Sequence, residues 1–123
     1  MITRSDALDI MTAVIAAHPR TAPRWHDDPD AARATADIWA KMFNRHNLAA
    51  PDILEAVIVR AADTPQTAPE PGELVAAARQ IRQDRASREQ GDRDQRALHE
   101  AKIDRKIANF AGNFGMEIDG PIR

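Results

Sequence analysis

A chain of 123 residues with no cysteine and a formal net charge of −2 has the length of one domain and room for only a modest core. It can form neither a disulfide nor a thiolate metal site. Its 43% hydrophobic content overstates that core, because much of it is alanine, which removes little apolar area from water when buried.

The N-terminus carries Asp6 and Asp9 and leads into only a short apolar run, unlike a signal peptide or a membrane span. A cytoplasmic protein without a membrane anchor is expected. Thr3 and Asp6 have capping-box spacing, and Leu8, Met11, Val14 and Ile15 follow at helical intervals. The spacing predicts a first helix from Ser5 to about His18, stopped by Pro19. Pro19, Pro23 and Pro29 keep the next connection extended as far as Asp28.

Asp28 before Pro29 has the form of an N-cap followed by the first helical residue. The second helix then carries Ala32, Ala36, Trp39 and Phe43 on its apolar face, flanked by Ile38 and Met42, and is expected to end between Asn44 and Asn47. The period of Trp39 marks it as core, whereas Trp25, between two prolines, could cover the core or face a partner. Pro51 opens a third helix bearing Ile53, Leu54, Val57, Ile58 and Ala61, which ends before Pro65. Thr64 to Gly72 holds three prolines and a glycine and is predicted as a loop. A fourth helix begins with Glu73, Leu74, Val75, Ala78 and Ile81.

Beyond Ile81 the apolar stripe fades, and Arg82 to Arg96 are almost all polar or charged, with pairs such as Asp84 and Arg88 at i, i+4 spacing. Such a segment is a solvated helical extension or is disordered when free. Residues 1–78 hold 7 basic and 11 acidic side chains, whereas residues 79–106 hold 9 and 6. The arm is therefore basic on balance but mixed in sign, unlike a dedicated nucleic-acid stripe. Leu98, Ala101, Ile103, Ile107 and Phe110 restore a sparse apolar pattern that Gly112 and Gly115 break. Phe114, Met116, Ile118 and Ile122 then follow with no obvious core to enter.

The expected fold class is all-α: a small N-terminal four-helix domain over residues 1–82, followed by a charged helical or partly disordered C-terminal arm over 83–123. No chemistry of catalysis stands out. A nucleophile with base and orienting group is missing, and the glycines follow no phosphate-binding pattern. No cofactor is expected. His26 with Asp27 and Asp28 is the one cluster resembling a metal site, and adjacent loop residues seldom converge on one ion, so a polar loop capping the second helix is the simpler reading. The chain is read as a binding protein rather than an enzyme, and as a monomer on its own.

Two candidate surfaces remain. Lys102, Ile103, Lys106, Ile107, Phe110, Phe114 and Met116 form an apolar element beside cations that would dock on a partner. Arg79, Arg82, Arg85 and Arg88, spaced by three, form a candidate DNA-facing row, interrupted by Asp84 and Glu89 and lacking aromatic residues to stack on bases. The third helix, whose polar residues are Asp52, Glu55 and Arg60, is a poor reader of base edges.

The order of features from Ile38 to Arg82 supplies a family expectation. A tryptophan in the second helix, Ala56 to Val59 in the third, a proline-rich loop, and Pro71-Gly72-Glu73-Leu74-Val75 opening the fourth resemble the phage replicative helicase loader and inhibitor family. The preceding helix, Ser5 to Ala17, matches in kind, so the resemblance covers about residues 5–82. The family opens its last helix with Pro-Pro-Thr or Pro-Pro-Ser, where this chain has Pro69-Glu70-Pro71-Gly72-Glu73. The resemblance implies an adaptor that binds the hexameric DnaB-type replicative helicase, restrains it, and delivers it to an origin during DNA replication, with an origin-binding protein as a second partner. In that family the C-terminal region contacts the helicase. The alternative is a DNA-binding accessory or regulatory protein using the arginine row.

Overall fold

The structure, a computed structural model, describes residues 1–118, with side chains described as far as Gly112. Among the described residues there are four α-helices, one short 3-10 turn and no strand, as the all-α expectation requires. The helices are α1 (Arg4–Ala17), α2 (Pro29–Arg45), α3 (Ala50–Asp63) and α4 (Pro71–Ile118), with the 3-10 turn at Trp25–Asp27 between α1 and α2.

The helix starts follow local rules. Thr3 caps α1 in a complete capping box, its hydroxyl accepting from the Asp6 N–H at 3.1 Å while Asp6 accepts from the Thr3 N–H at 2.9 Å, so two otherwise orphaned donors are satisfied. Asp28 accepts from the Ala31 N–H, with Pro29 at the first helical position of α2. Pro51 lies in the first turn of α3, where its missing N–H costs nothing. The loop before α4 is shorter than expected, because Pro71 already occupies the first turn and Glu73 reaches back to accept from the Glu70 N–H at 3.0 Å.

The end of α2 is a Schellman motif. Asn47 takes a positive φ of 52°, a conformation that asparagine tolerates better than most residues. The Leu48 N–H donates to Phe43 O at 3.3 Å and the Asn47 N–H to Asn44 O at 3.1 Å. Leu48 and Phe43 are both buried, the apolar contact that usually accompanies this turn.

The chain divides into two units, Met1–Asp84 and Arg85–Arg123. In the first, α1 packs on both α2 and α3. Its core draws Ile10, Met11 and Val14 from α1, Trp39 and Phe43 from α2, Ile53 and Val57 from α3, and Leu74 and Ala78 from the start of α4. Trp39 belongs to this core, as its period predicts. Half-buried Trp25 covers it, meeting Trp39 edge-on at 5.3 Å between ring centroids, and Trp39 meets Phe43 edge-on at 5.9 Å.

In the second unit the backbone is helical as far as Ile118, through Gly91 and Gly112. Every side chain from Arg85 to Gly112 is exposed. Of the two states expected for the arm, the solvated helix is the one observed over these residues.

Candidate functional site

The second unit carries the expected docking residues, and helical geometry sorts them. At about 100° per residue, Ile103, Ile107 and Phe110 fall within a stripe about 60° wide. Their side chains are 40%, 60% and 65% exposed. Lys106 borders the stripe about 60° from Ile103, and Lys102 lies further round on the same side. Glu100 borders the other edge, so one rim is basic and the other acidic. Leu98, 63% exposed, is about 140° from Ile103 and belongs to the opposite side of the helix. The side chains of Phe114, Met116 and Ile118, and the whole of Ile122, lie outside the described residues. Local side-chain bonds, from Gln90 to Asp94 and from Arg93 to Gln90, both 2.8 Å, support the polar stretch before the stripe.

The arginine row is not held together. A spacing of three steps back about 60° per member on an α-helix, so such a row winds around the helix. Arg82 is half-buried and donates from Nη1 to the carbonyls of His46 and Asn47, both at 3.1 Å. Those carbonyls end α2, where orphaned acceptors carry the negative end of the helix dipole and attract a cation. Arg82 therefore fastens α4 to the α2–α3 turn. Arg79 is exposed in the first unit, and Arg85 and Arg88 are exposed in the second.

Arg60 has a structural role that sequence reasoning missed. Its side chain is only 13% exposed, and it donates to Glu73 Oε2 at 2.9 Å, to the carbonyls of Thr64 and Thr67 at 2.8 and 3.0 Å, and to the Thr67 hydroxyl at 3.4 Å. One guanidinium thus closes the proline-rich loop onto α3 and the start of α4. The Glu70 N–H, and then Arg60, hold the Glu73 carboxyl below the usual carboxylate range. The one basic residue of α3, in its last turn just before that loop, was the available signal.

Two further ties fix α1 and the N-terminus against α2. Arg4 pairs bidentately with Asp37, Nε to Oδ1 at 2.7 Å and Nη2 to Oδ2 at 2.8 Å, and the bond lowers the Asp37 pKa. Asn44 accepts from the Ile2 N–H at 2.7 Å and donates to Ile2 O at 2.9 Å, which seats buried Ile2 on the core.

The His26, Asp27 and Asp28 cluster is engaged in folding. Asp28 caps α2, while Asp27 accepts from Arg24 Nε at 2.6 Å and lies 3.4 Å from His26 Nε2. Among the described residues no group of three or more His, Cys, Asp or Glu side chains is arranged to hold a metal. No helix among them is long and apolar enough to cross a membrane. Buried Asp52 lies in the first turn of α3, and the buried ring of His18 closes the end of α1. Comparison with protein-family models, with curated proteins and with solved structures finds no match.

Proposed function

We propose that the chain is a protein-binding adaptor of phage-type DNA replication, which engages a hexameric DnaB-type helicase through its second unit. The supporting observation is the stripe of Ile103, Ile107 and Phe110, large exposed apolar groups at helical spacing, bordered by Lys106. An apolar stripe on a solvated helix is what a helix-in-groove partner reads. The order of helices over residues 5–82 resembles the loader and inhibitor family and supplies the identity of that partner. In this reading the first unit is a rigid handle, and the second biases the helicase ring by binding one of its states more tightly than the other. Delivery to an origin-binding protein follows as a later step.

The direct test mixes the full chain with the host helicase and measures complex formation by sizing and its effect on ATP hydrolysis. The wild-type chain is expected to co-elute and slow hydrolysis. The triple substitution Ile103→Ser, Ile107→Ser, Phe110→Ser is expected to lose binding by at least about tenfold, or 1.4 kcal/mol, with the first unit still folded. Equal binding by the two chains removes the second unit from the interface, and no binding by wild type removes the helicase. Tight DNA binding by the isolated chain with a steep salt dependence would transfer the function to the arginines.

A further inference from the structure

α2 has two unlike faces. Ala32, Ala36, Trp39, Ala40 and Phe43 enter the core. On the solvent side, where a helix of a free-standing unit ordinarily carries polar groups, Ala31, Ala34, Ile38 and Met42 follow one another at intervals of three and four, all exposed. They fall within about 80° of one another, and Ile38 and Met42 are 55% and 43% exposed. At the C-terminal end of this stripe Ile38, Lys41, Met42, Asn44, Arg45 and Met1 line a shallow concavity of about 600 Å³.

The charge around it is one-sided. Lys41 and Arg45 are exposed, and among the described residues neither forms an ion pair. Asp37, one turn before Lys41, has both carboxylate oxygens on Arg4. Asp30, at the far end of the stripe, is paired with Arg33. Arg45 in the last turn favours its own helix dipole, but that role accounts for neither Lys41 nor the apolar groups beside it.

We propose that the outer face of α2 is a second docking surface, one that takes an acidic amphipathic helix of a partner protein. Ala31 to Met42 rises about 16 Å, three turns at about 5.4 Å each, so three turns of a partner helix can lie along it. The two alanines let the backbones approach closely, while Ile38 and adaptable Met42 fill the partner's apolar face. Carboxylates at the edge of that helix meet Lys41 and Arg45, neither of which is ion-paired among the described residues, Asp37 near Lys41 being already engaged by Arg4. A lipid surface fits less well, because electrostatic membrane attachment uses larger basic clusters than two residues. A second copy of this face would offer only Asp30 and Asp37, already paired with Arg33 and Arg4. The proposal does not depend on the helicase reading, which concerns the second unit.

The probe is a fluorescein-labelled peptide of roughly twenty residues, long enough to be helical when bound, with Leu and Ala on one face and Glu along its edges. A twin carries Lys at each Glu position, and anisotropy is read with the full chain at low salt. The acidic peptide is expected to bind at least about tenfold more tightly than its twin, a difference of 1.4 kcal/mol. K41E with R45E should reverse that order, and I38S with M42S should weaken both peptides. All four positions are exposed, and an unchanged near-UV signal from Trp25 and Trp39 verifies the fold of each variant. Amide shifts confined to α2 and the N-terminus complete the expected result. Equal affinity for the twins, indifference to charge reversal, shifts confined to the Ile103–Phe110 stripe, self-association through this face in sedimentation, or preferential binding to anionic vesicles would each overturn it.

Discussion

In Met1–Asp84 the largest side chains of every helix are withdrawn from solvent, with Phe43, Ile10, Ile53, Leu74, Val14 and Val57 essentially inaccessible, whereas from Arg85 to Gly112 no side chain is buried. Both stretches are helical, but different forces hold them. The first is helical because each helix has an apolar face that packs into a shared core, which is where most helical stability in proteins arises. The second, whose described side chains are all exposed, draws on backbone hydrogen bonds, intrinsic propensity and local polar pairs worth a few tenths of a kcal/mol each. The described apolar groups of the second stay exposed, so the unit that contributes least to stability presents the stripe of Ile103, Ile107 and Phe110.

The widest difference between the units should appear in amide exchange. Core amides of α1, α2 and α3 should exchange about a thousandfold or more slowly than those of residues 85–112, which open locally at little cost. Comparable protection in the two stretches would mean that the second is held by tertiary packing or a partner rather than by local interactions. Next in size, Phe43→Ala should destabilise the first unit by about 3–5 kcal/mol in tryptophan-monitored denaturation. Ile107→Ala should stay within about 0.5 kcal/mol.

Arg60→Ala should cost about 2 kcal/mol in the same assay, because it leaves the Thr64 and Thr67 carbonyls and the Glu73 carboxylate without their donor. Arg88→Ala, in the solvated unit, should be nearly silent. The second unit should respond to propensity instead. A Cβ added at Gly91 meets nothing within 4 Å, so Gly91→Ala should raise helicity in circular dichroism by the equivalent of about 0.5–1 kcal/mol without moving the first unit's transition.

The smallest effect is acid sensitivity. The backbone and hydroxyl of Thr3 lower the pKa of Asp6, Arg4 lowers that of Asp37, and the Glu70 N–H and then Arg60 lower that of Glu73. A carboxyl whose folded pKa lies below its unfolded value, about 4, makes the unfolded chain bind more protons. Its contribution is present above that value and is lost as pH falls through the folded one. The thermal midpoint of the first unit should therefore decline below about pH 4. Arg4→Gln should remove the part of that decline due to Asp37.

The candidate surfaces were only partly legible in the sequence. The Ile103, Ile107 and Phe110 stripe follows from helical spacing, yet Leu98, which looks like part of the same pattern, lies on the other side once the helix is continuous. Arg82 sits in a regular arginine row and looked available for DNA, but the chain returns the end of α2 to within 3.1 Å of it. The outer face of α2 was hidden for the same kind of reason. Ile38 and Met42 flank core positions in the sequence, and only the packing of α1 and the Trp25–Asp27 turn against α2 shows that these two side chains stay exposed.

Because caps, prolines and apolar periods act over three or four residues, the sequence by itself determined where the first three helices begin and much of the core, though not buried Ile2, Ile10 and Leu48 or the exposure of Ile58. Thr3 with Asp6, Asp28 with Pro29, and the Trp39 to Phe43 period needed nothing from the rest of the chain. Tertiary structure alone decided the destinations of Arg4, Arg60 and Arg82, the seat of Ile2 on Asn44, and the covering of Trp39 by Trp25. A long polar side chain takes its role from whichever acceptors folding brings within about 3 Å, and here those acceptors lie as far as 36 residues away along the chain.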